Sequence, residues 1–262
     1  MNRYFRIYRI LWRMSLETLL IYRANFINSS ISSFAWGIFS YISIFLLTSK
    51  TSVVFGWTRG ELILLTCGYG IMIGIFHTLF SRNFERMAEI IDFAQLDSIL
   101  IKPIDSQFFL TMRWINYASI IRIVFGVGFL FYFLHSFAIR ITIISVLVFF
   151  IFLFLGVLLL YSLWFGVATL LLWFPRLSNL MELMYTVAGL TRYPGEMYKN
   201  ASEYLFLFLL PLTLIVSTPV KFLVWRASGM DLMFLIFFAV MLFLASRKFW
   251  VFALRFYTSA SS

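Results

Sequence analysis

Mostly apolar stretches recur along the chain at about 26–48, 61–80, 115–134, 141–173, 177–193 and 229–250. Each is close to the roughly 20 residues needed to cross a hydrocarbon core of about 30 Å, so the pattern predicts six transmembrane helices. The fourth is longer than a crossing needs and predicts a tilted or projecting helix. The fifth is short and polar at both ends. Between the fifth and the last, 194–228 holds a further apolar run from Tyr204 to Val216, set among Pro194, Pro211 and Pro219. That run is too short for a span, which predicts a re-entrant or interfacial helical pair. A seventh crossing is the competing reading.

Two flanking segments have the helical period instead. In 1–25, Arg3, Arg6, Arg9 and Arg13 fall on one side, while Phe5, Tyr8, Leu11, Trp12, Leu16 and Leu19 fall largely on the other. This predicts a helix lying in the headgroup layer. In the long connection 81–114, Phe84, Met87, Ile91 and Ala94 form an apolar stripe, and Glu85, Glu89 and Asp92 form an acidic one opposite. A helix with two such faces rests one on the bundle and offers the other to water or a partner. Pro103 stops regular structure before the next span.

Composition explains why these runs are read in lipid. Of 262 residues, 62% are apolar and 12% charged, too few charges to solvate a globule, so a soluble domain is excluded. The fold class is an all-α polytopic membrane protein, a single transmembrane domain over 1–262. Lys and Arg total 21 against 11 Asp and Glu. In a soluble chain that excess would suggest nucleic acid; here it marks the cytoplasmic ends of spans, and no nucleic-acid partner is expected. With six crossings and an inner N-terminus, thirteen Lys and Arg fall inside, among them Arg247, Lys248 and Arg255, and seven outside, among them Arg192, Lys221 and Arg226. This bias predicts both termini in the cytoplasm. The basic N-terminus lacks the adjoining apolar core and small-residue cleavage site of a removed signal peptide.

Motifs for chemistry are missing from the sequence. It has no G-x-x-x-x-G-K-[ST] phosphate loop, no H-E-x-x-H pair beside His77 and His135, no G-x-S-x-G elbow, and one cysteine, Cys67. The reading is a non-enzyme with no metal and no cofactor of its own. Ionisable groups in spans are costly and mark pathways. Glu61 and Glu182, near span ends, are the acidic candidates for a substrate path, with Phe76 and Tyr185 as aromatic ones; Arg122 is read as snorkelling to the headgroups. Gly68, Gly70, Gly74, Gly156 and Gly166 are read as close-packing positions.

The segment Gln95-Leu96-Asp97-Ser98-Ile99-Leu100-Ile101-Lys102-Pro103-Ile104-Asp105-Ser106-Gln107-Phe108 resembles the cytoplasmic signature of bacterial ABC-2-type permeases, including the branch annotated for viologen export. Gly56 to Leu62, Tyr193-Pro194, Pro211, Pro219 and the C-terminal Arg255 to Ser261 resemble the same family in order and spacing. Ala94-Gln95 stands where the family has Gly-Glu. The resemblance implies a six-helix domain of an ATP-driven exporter in the bacterial plasma membrane, with an interfacial N-terminal helix and re-entrant helices before the last span. It implies a coupling helix within Glu85 to Leu100 that docks on a separate ATPase subunit, which alone binds ATP and Mg. Glu85, Glu89, Asp92, Leu96, Asp97, Lys102 and Pro103 are the coupling candidates it supplies. It further implies a second permease, identical or different, and a path lined by spans one, two and five that suits a hydrophobic, amphiphilic or organic-cation cargo. An ATP-independent transporter or channel and a membrane assembly scaffold are the alternatives.

Overall fold

The computed structural model describes residues 2–49, 53–93, 95–137, 142–174, 179–198 and 203–257. Helix α1 (Asn2–Ile21) breaks at Tyr22 and is followed at once by α2 (Arg23–Leu47). A two-stranded hairpin, β1 (Val53–Val54) and β2 (Trp57–Thr58), turns through Phe55 and Gly56, both at positive φ. Gly56 takes this left-handed backbone without steric cost. Then come α3 (Arg59–Phe76), a π-helical turn at His77–Ser81, and α4 (Arg82–Asp92). Short helices α5 (Asp97–Leu100) and α6 (Ser106–Thr111) lead to α7 (Ile120–Ser136) and α8 (Ile143–Leu170). The remainder is α9 (Leu180–Leu190), α10 (Glu203–Leu223) and α11 (Gly229–Arg255).

Among the described residues, five helical segments are long and apolar enough to cross a membrane: α2, α3 with its continuation to Ile91, the stretch Tyr117–Ser136, α8 and α11. The chain is a multi-pass α-helical membrane protein. Helix α3 is the hub. Its Leu62, Leu64, Leu65, Ile71, Met72 and Phe76 are all but fully buried, and it packs on α7, α8, α10 and α2. Two glycines bring α3 and α7 together: a Cβ on Gly74 or on Gly126 would come within 2.8 Å of Ile123 or Ile71 respectively. In lipid, where no hydrophobic effect joins helices, such close backbone approach is what packing supplies.

Three expectations change. The second span and the amphipathic helix expected within 81–114 are not separate. Residues 59–91 run as 33 residues of continuous helix, about 50 Å at 1.5 Å per residue. The π turn lets the axis continue while leaving the Thr78 carbonyl free to accept from Asn116 N–H at 2.9 Å, and buried Asn83 exchanges two bonds with the Trp114 backbone. The expected fifth span is only 11 helical residues in α9, about 16 Å and half a crossing; positions 177 and 178 lie outside the described residues. The chain then makes a single 3-10 turn at Gly195–Met197 and enters α10, where a helical pair bounded by prolines was expected. Pro211 and Pro219 sit inside that helix. Pro219 has no N–H to give the Ile215 carbonyl, and that oxygen faces Gly156 of α8, where a Cβ would come within 2.6 Å. Close contact with α8 thus supports the helix where its own ladder is interrupted.

Helix α1 also divides its apolar side. Tyr8, Leu11 and Leu19 turn inward, while Phe5, Trp12 and Leu16 are exposed. Arg3 donates to the Pro103 carbonyl at 2.7 Å, Tyr117 donates to the Trp12 carbonyl at 3.1 Å, and the Tyr4 ring meets Phe108 edge-on. One flank is therefore pinned to the 103–117 connection, leaving the other for lipid.

Candidate functional site

A cavity of about 440 Å³ opens between α2, α3, α7 and the short α9. The short α9, which packs on α8 and α10, forms one side of it. Helix α2 contributes Ser33 to Tyr41 positions, α3 contributes Thr66, Tyr69, Gly70, Ile73 and His77, and α7 contributes Arg122, Phe125, Gly126 and Phe129. Tyr185, Gly189 and Arg192 close it from the α9 side.

The walls are aromatic and the charge is positive. Arg122 Nε donates to the Ser33 carbonyl at 3.1 Å, bridging α7 to α2. Arg192 Nη2 donates to Tyr193 Oη at 2.9 Å, and its guanidinium lies 4.8 Å from the Tyr193 ring centre. Among the described residues, neither arginine forms an ion pair, and no Asp or Glu lines the cavity. The His77 imidazole stacks on the Tyr185 ring at 5.5 Å with the planes 9° apart.

Tyr185 links this cavity to the face of α4. Its hydroxyl donates to Glu85 Oε1 at 2.7 Å. On α4, Asn83, Phe84, Met87, Ala88 and Ile90 are buried, whereas Glu85, Arg86 and Glu89 are exposed, with Arg86 paired to Glu89 at 2.6 Å. Phe93 and Ile101 add exposed apolar surface beside that face, at 73% and 83% exposure.

The turn after α5 is anchored. Asp105 caps α6 by accepting from Phe108 N–H at 2.9 Å, and it pairs with Arg247 of α11. Arg247 also donates to Gln107, whose amide donates to Tyr161 of α8 at 2.9 Å. Trp250 Nε1 donates to Ser106 Oγ at 3.0 Å. At the opposite end of the bundle, Glu196 accepts from Trp57 Nε1 at 3.0 Å and pairs with Lys221 at 2.7 Å, locking the α9–α10 turn to the hairpin.

The sequence candidates separate against this geometry. Of the four path residues, only Tyr185 lines the cavity. Glu61 is engaged in the α3 capping box with Thr58 and pairs with Arg226 at 2.7 Å. Phe76 is fully buried against Trp164 and Phe84, and Glu182 is exposed in the first turn of α9, where the helix dipole favours a carboxylate. Among the coupling candidates, Leu96 is fully buried and holds the segment to the bundle, so it offers no surface. Lys102 lies over the Phe109 ring at 4.6 Å, and the Pro103 carbonyl is held by Arg3. Burial first, and then the Asp97 carboxylate, push the Tyr257 phenol up. The Asp92 side chain and Ala94 lie outside the described residues.

Arg122 and Arg192 were missed as site residues. Arg122 was expected to snorkel, and it instead bonds across to α2. Arg192 was assigned to an outer loop, but the shortness of α9 places it beside Tyr69, midway along α3. For Arg122 the available signal was a lone charge within an apolar run; for Arg192 the sequence held none. Of the glycines, Gly68, Gly74 and Gly156 meet close neighbours; Gly70 lines the cavity and Gly166 has open space beside it.

A family model described as "ABC-2 family transporter protein" matches residues 34–261. No curated protein and no solved structure matches the chain. A match over that much of the sequence, on a multi-pass helical bundle, shows that the chain belongs to the ABC-2 transporter family, whose membrane subunits work with an ABC ATPase.

Proposed function

We propose that the chain is the permease half of an ATP-driven exporter, with ATP and Mg bound and ATP hydrolysed by a separate subunit. In this reading both termini and the α4 end face the bacterial cytoplasm, two permeases, identical or different, form the membrane unit, and the α2–α3–α7–α9 cavity receives a hydrophobic or amphiphilic cargo. The exposed side of α4, with Glu85, Glu89, Phe93 and Ile101, is the ATPase contact.

The observation that carries this reading is the Tyr185–Glu85 hydrogen bond, because it makes one side chain of the cavity wall answer to the position of α4. An ATPase can move cargo only if its nucleotide-loaded form prefers one permease conformation over the other. A contact that breaks or forms as α4 moves supplies such a difference at the cavity. The test is purification from native membranes followed by reconstitution in vesicles. A stoichiometric P-loop ATPase and cargo movement that requires ATP are expected. Uphill pumping by the isolated subunit, free of any nucleotide-hydrolysing protein, would overturn the assignment.

A further inference from the structure

The geometry points to a cargo site for an amphiphile with an anionic headgroup, a carboxylate or phosphate held by Arg122 and Arg192 with its tail against the aromatic wall. This deepens the exporter reading and rests on it for the word cargo; the binding claim stands on the cavity itself.

Three observations converge. First, the cavity places two half-buried guanidinium groups, which remain charged at any physiological pH, between the helices of a membrane protein, where an uncompensated charge is costly and marks a ligand or ion pathway. Second, no carboxylate compensates them among the described residues: every ion pair there is formed elsewhere, and the lining holds no Asp or Glu. Third, Arg192 Nε is buried without any hydrogen-bond partner, and Arg122 uses only its Nε, toward Ser33. Guanidinium groups present planar, paired donors that match carboxylate and phosphate oxygens. The Tyr69 phenol lies near both arginines and offers one more donor.

The remaining wall is apolar. Phe34, Trp36, Phe125 and Phe129 line it, with Phe34 and Phe125 rings 4.7 Å apart. Ring faces can also hold a cation. Two fixed positive charges in a lining without Asp or Glu oppose that choice, and the nearby Glu85 carboxylate is already taken by Tyr185, so an organic cation is the wrong sign for this cavity. A free inorganic anion would leave the aromatic surface unused. An acidic headgroup with an alkyl or aryl tail satisfies both halves.

The anion can come from a transported single-chain amphiphile or from an acidic bilayer lipid, and the assay separates them. Radiolabelled dodecyl phosphate is titrated onto the full-length protein, with its ATPase where that co-purifies, in phosphatidylcholine nanodiscs. Expected is binding at least tenfold tighter than that of dodecyltrimethylammonium, a loss of about tenfold or more in the Arg122→Gln/Arg192→Gln double variant, and substantial retention in the Arg122→Lys/Arg192→Lys variant. The lysine variant keeps the charge and so reports on folding. Weakened binding when phosphatidylglycerol is added to the disc assigns the site to a bilayer lipid, and unchanged binding assigns it to the soluble amphiphile; either result places an anionic headgroup there. Equal or tighter binding of the ammonium probe, equal competition by inorganic phosphate, or unaltered affinity in the glutamine variant overturns the proposal. ATP dependence is not read in this assay, so the exporter reading can fail while the site stands, or survive while the site falls.

Discussion

The Tyr185 hydroxyl donates a 2.7 Å hydrogen bond to Glu85 Oε1, joining residues 100 positions apart. Tyr185 belongs to the cavity wall and Glu85 to the exposed face of α4, so in the proposed reading the bond spans the place that binds cargo and the place that receives force. Tyr185→Phe keeps the ring and its stacking on His77 but removes the donor. A hydrogen bond of this kind contributes about 1 kcal/mol, which is about fivefold in an equilibrium. The ratio of cargo-stimulated to basal ATPase rate in vesicles is expected to fall by about that factor. Glu85→Gln should produce a similar fall, and the double variant should lose little more. Additive losses would mean that the two residues act separately.

The proposed partner surface on α4 is a matter of which side chains are exposed. Joint replacement of Glu85, Glu89 and Asp92 by Lys should uncouple ATPase activity from cargo, and Ile101→Asp should lower recovery of the ATPase on purification by about tenfold. Ile101 is almost wholly exposed, so its change costs the fold little. Leu96→Asp is the contrast: it buries an unpaired carboxylate and should lower the melting temperature of the permease. An Ile101→Asp protein that keeps its ATPase at full stoichiometry would exclude this side of the segment from the contact.

How far the sequence foretold these features depends on whether local pattern or tertiary contact decides them. The 3.6-residue period announced the buried Phe84 and Met87 and the exposed Glu85 and Glu89 of α4, because one face of that helix meets the bundle. Hydropathy likewise announced α2, α3, α7, α8 and α11. It could not announce that α9 stops after Leu190, since the residues that follow are as compatible with a span end as with a buried turn. The position of Arg192 beside the cavity depends on that stop. Arg122 was misread for a related reason. A lone arginine two turns into a span has two outlets, the headgroups or a neighbouring backbone, and only the approach of Ser33 on α2 selects the second. Glu61 and Phe76 lie outside the cavity lining, and the sequence could not show it, because it shows that a residue is acidic or aromatic but not whether it is already engaged.

The α9–α10 turn is fastened by one carboxylate. Glu196 receives Trp57 Nε1 and Lys221 Nζ together, and Trp57 is 1% exposed. Glu196→Ala leaves the indole N–H without its acceptor and Lys221 with only the more distant Asp231, at 4.0 Å. Unsatisfied buried donors cost about 1–3 kcal/mol. A lower melting temperature and faster amide exchange in 191–198 are expected in detergent. Because the turn carries Arg192 toward the cavity, binding of dodecyl phosphate should weaken as well.

Gly156 tests how α10 tolerates Pro219. The proline withholds a donor from the Ile215 carbonyl, and α8 comes so near at this point that a methyl group on residue 156 would stand 2.6 Å from that oxygen and 2.9 Å from the Ile215 side chain. Backbone cannot yield as a flexible side-chain end does, so Gly156→Ala must push α10 off α8. Overpacking of this kind costs about 1–3 kcal/mol. Gly166 lies ten residues further along the same helix with nothing within 4 Å of a built Cβ. There the change to Ala meets no neighbour and relieves the helix of glycine's backbone entropy, a gain of about 0.5–1 kcal/mol. Thermal unfolding of the two variants in one detergent should therefore shift in opposite directions. The Gly156→Ala loss should shrink when Ile215→Ala removes the side-chain clash, but it should not vanish, because the carbonyl remains. Complete recovery in that double variant would show that the side chain alone sets the spacing, and that the carbonyl left by Pro219 has no part in holding α10 to α8.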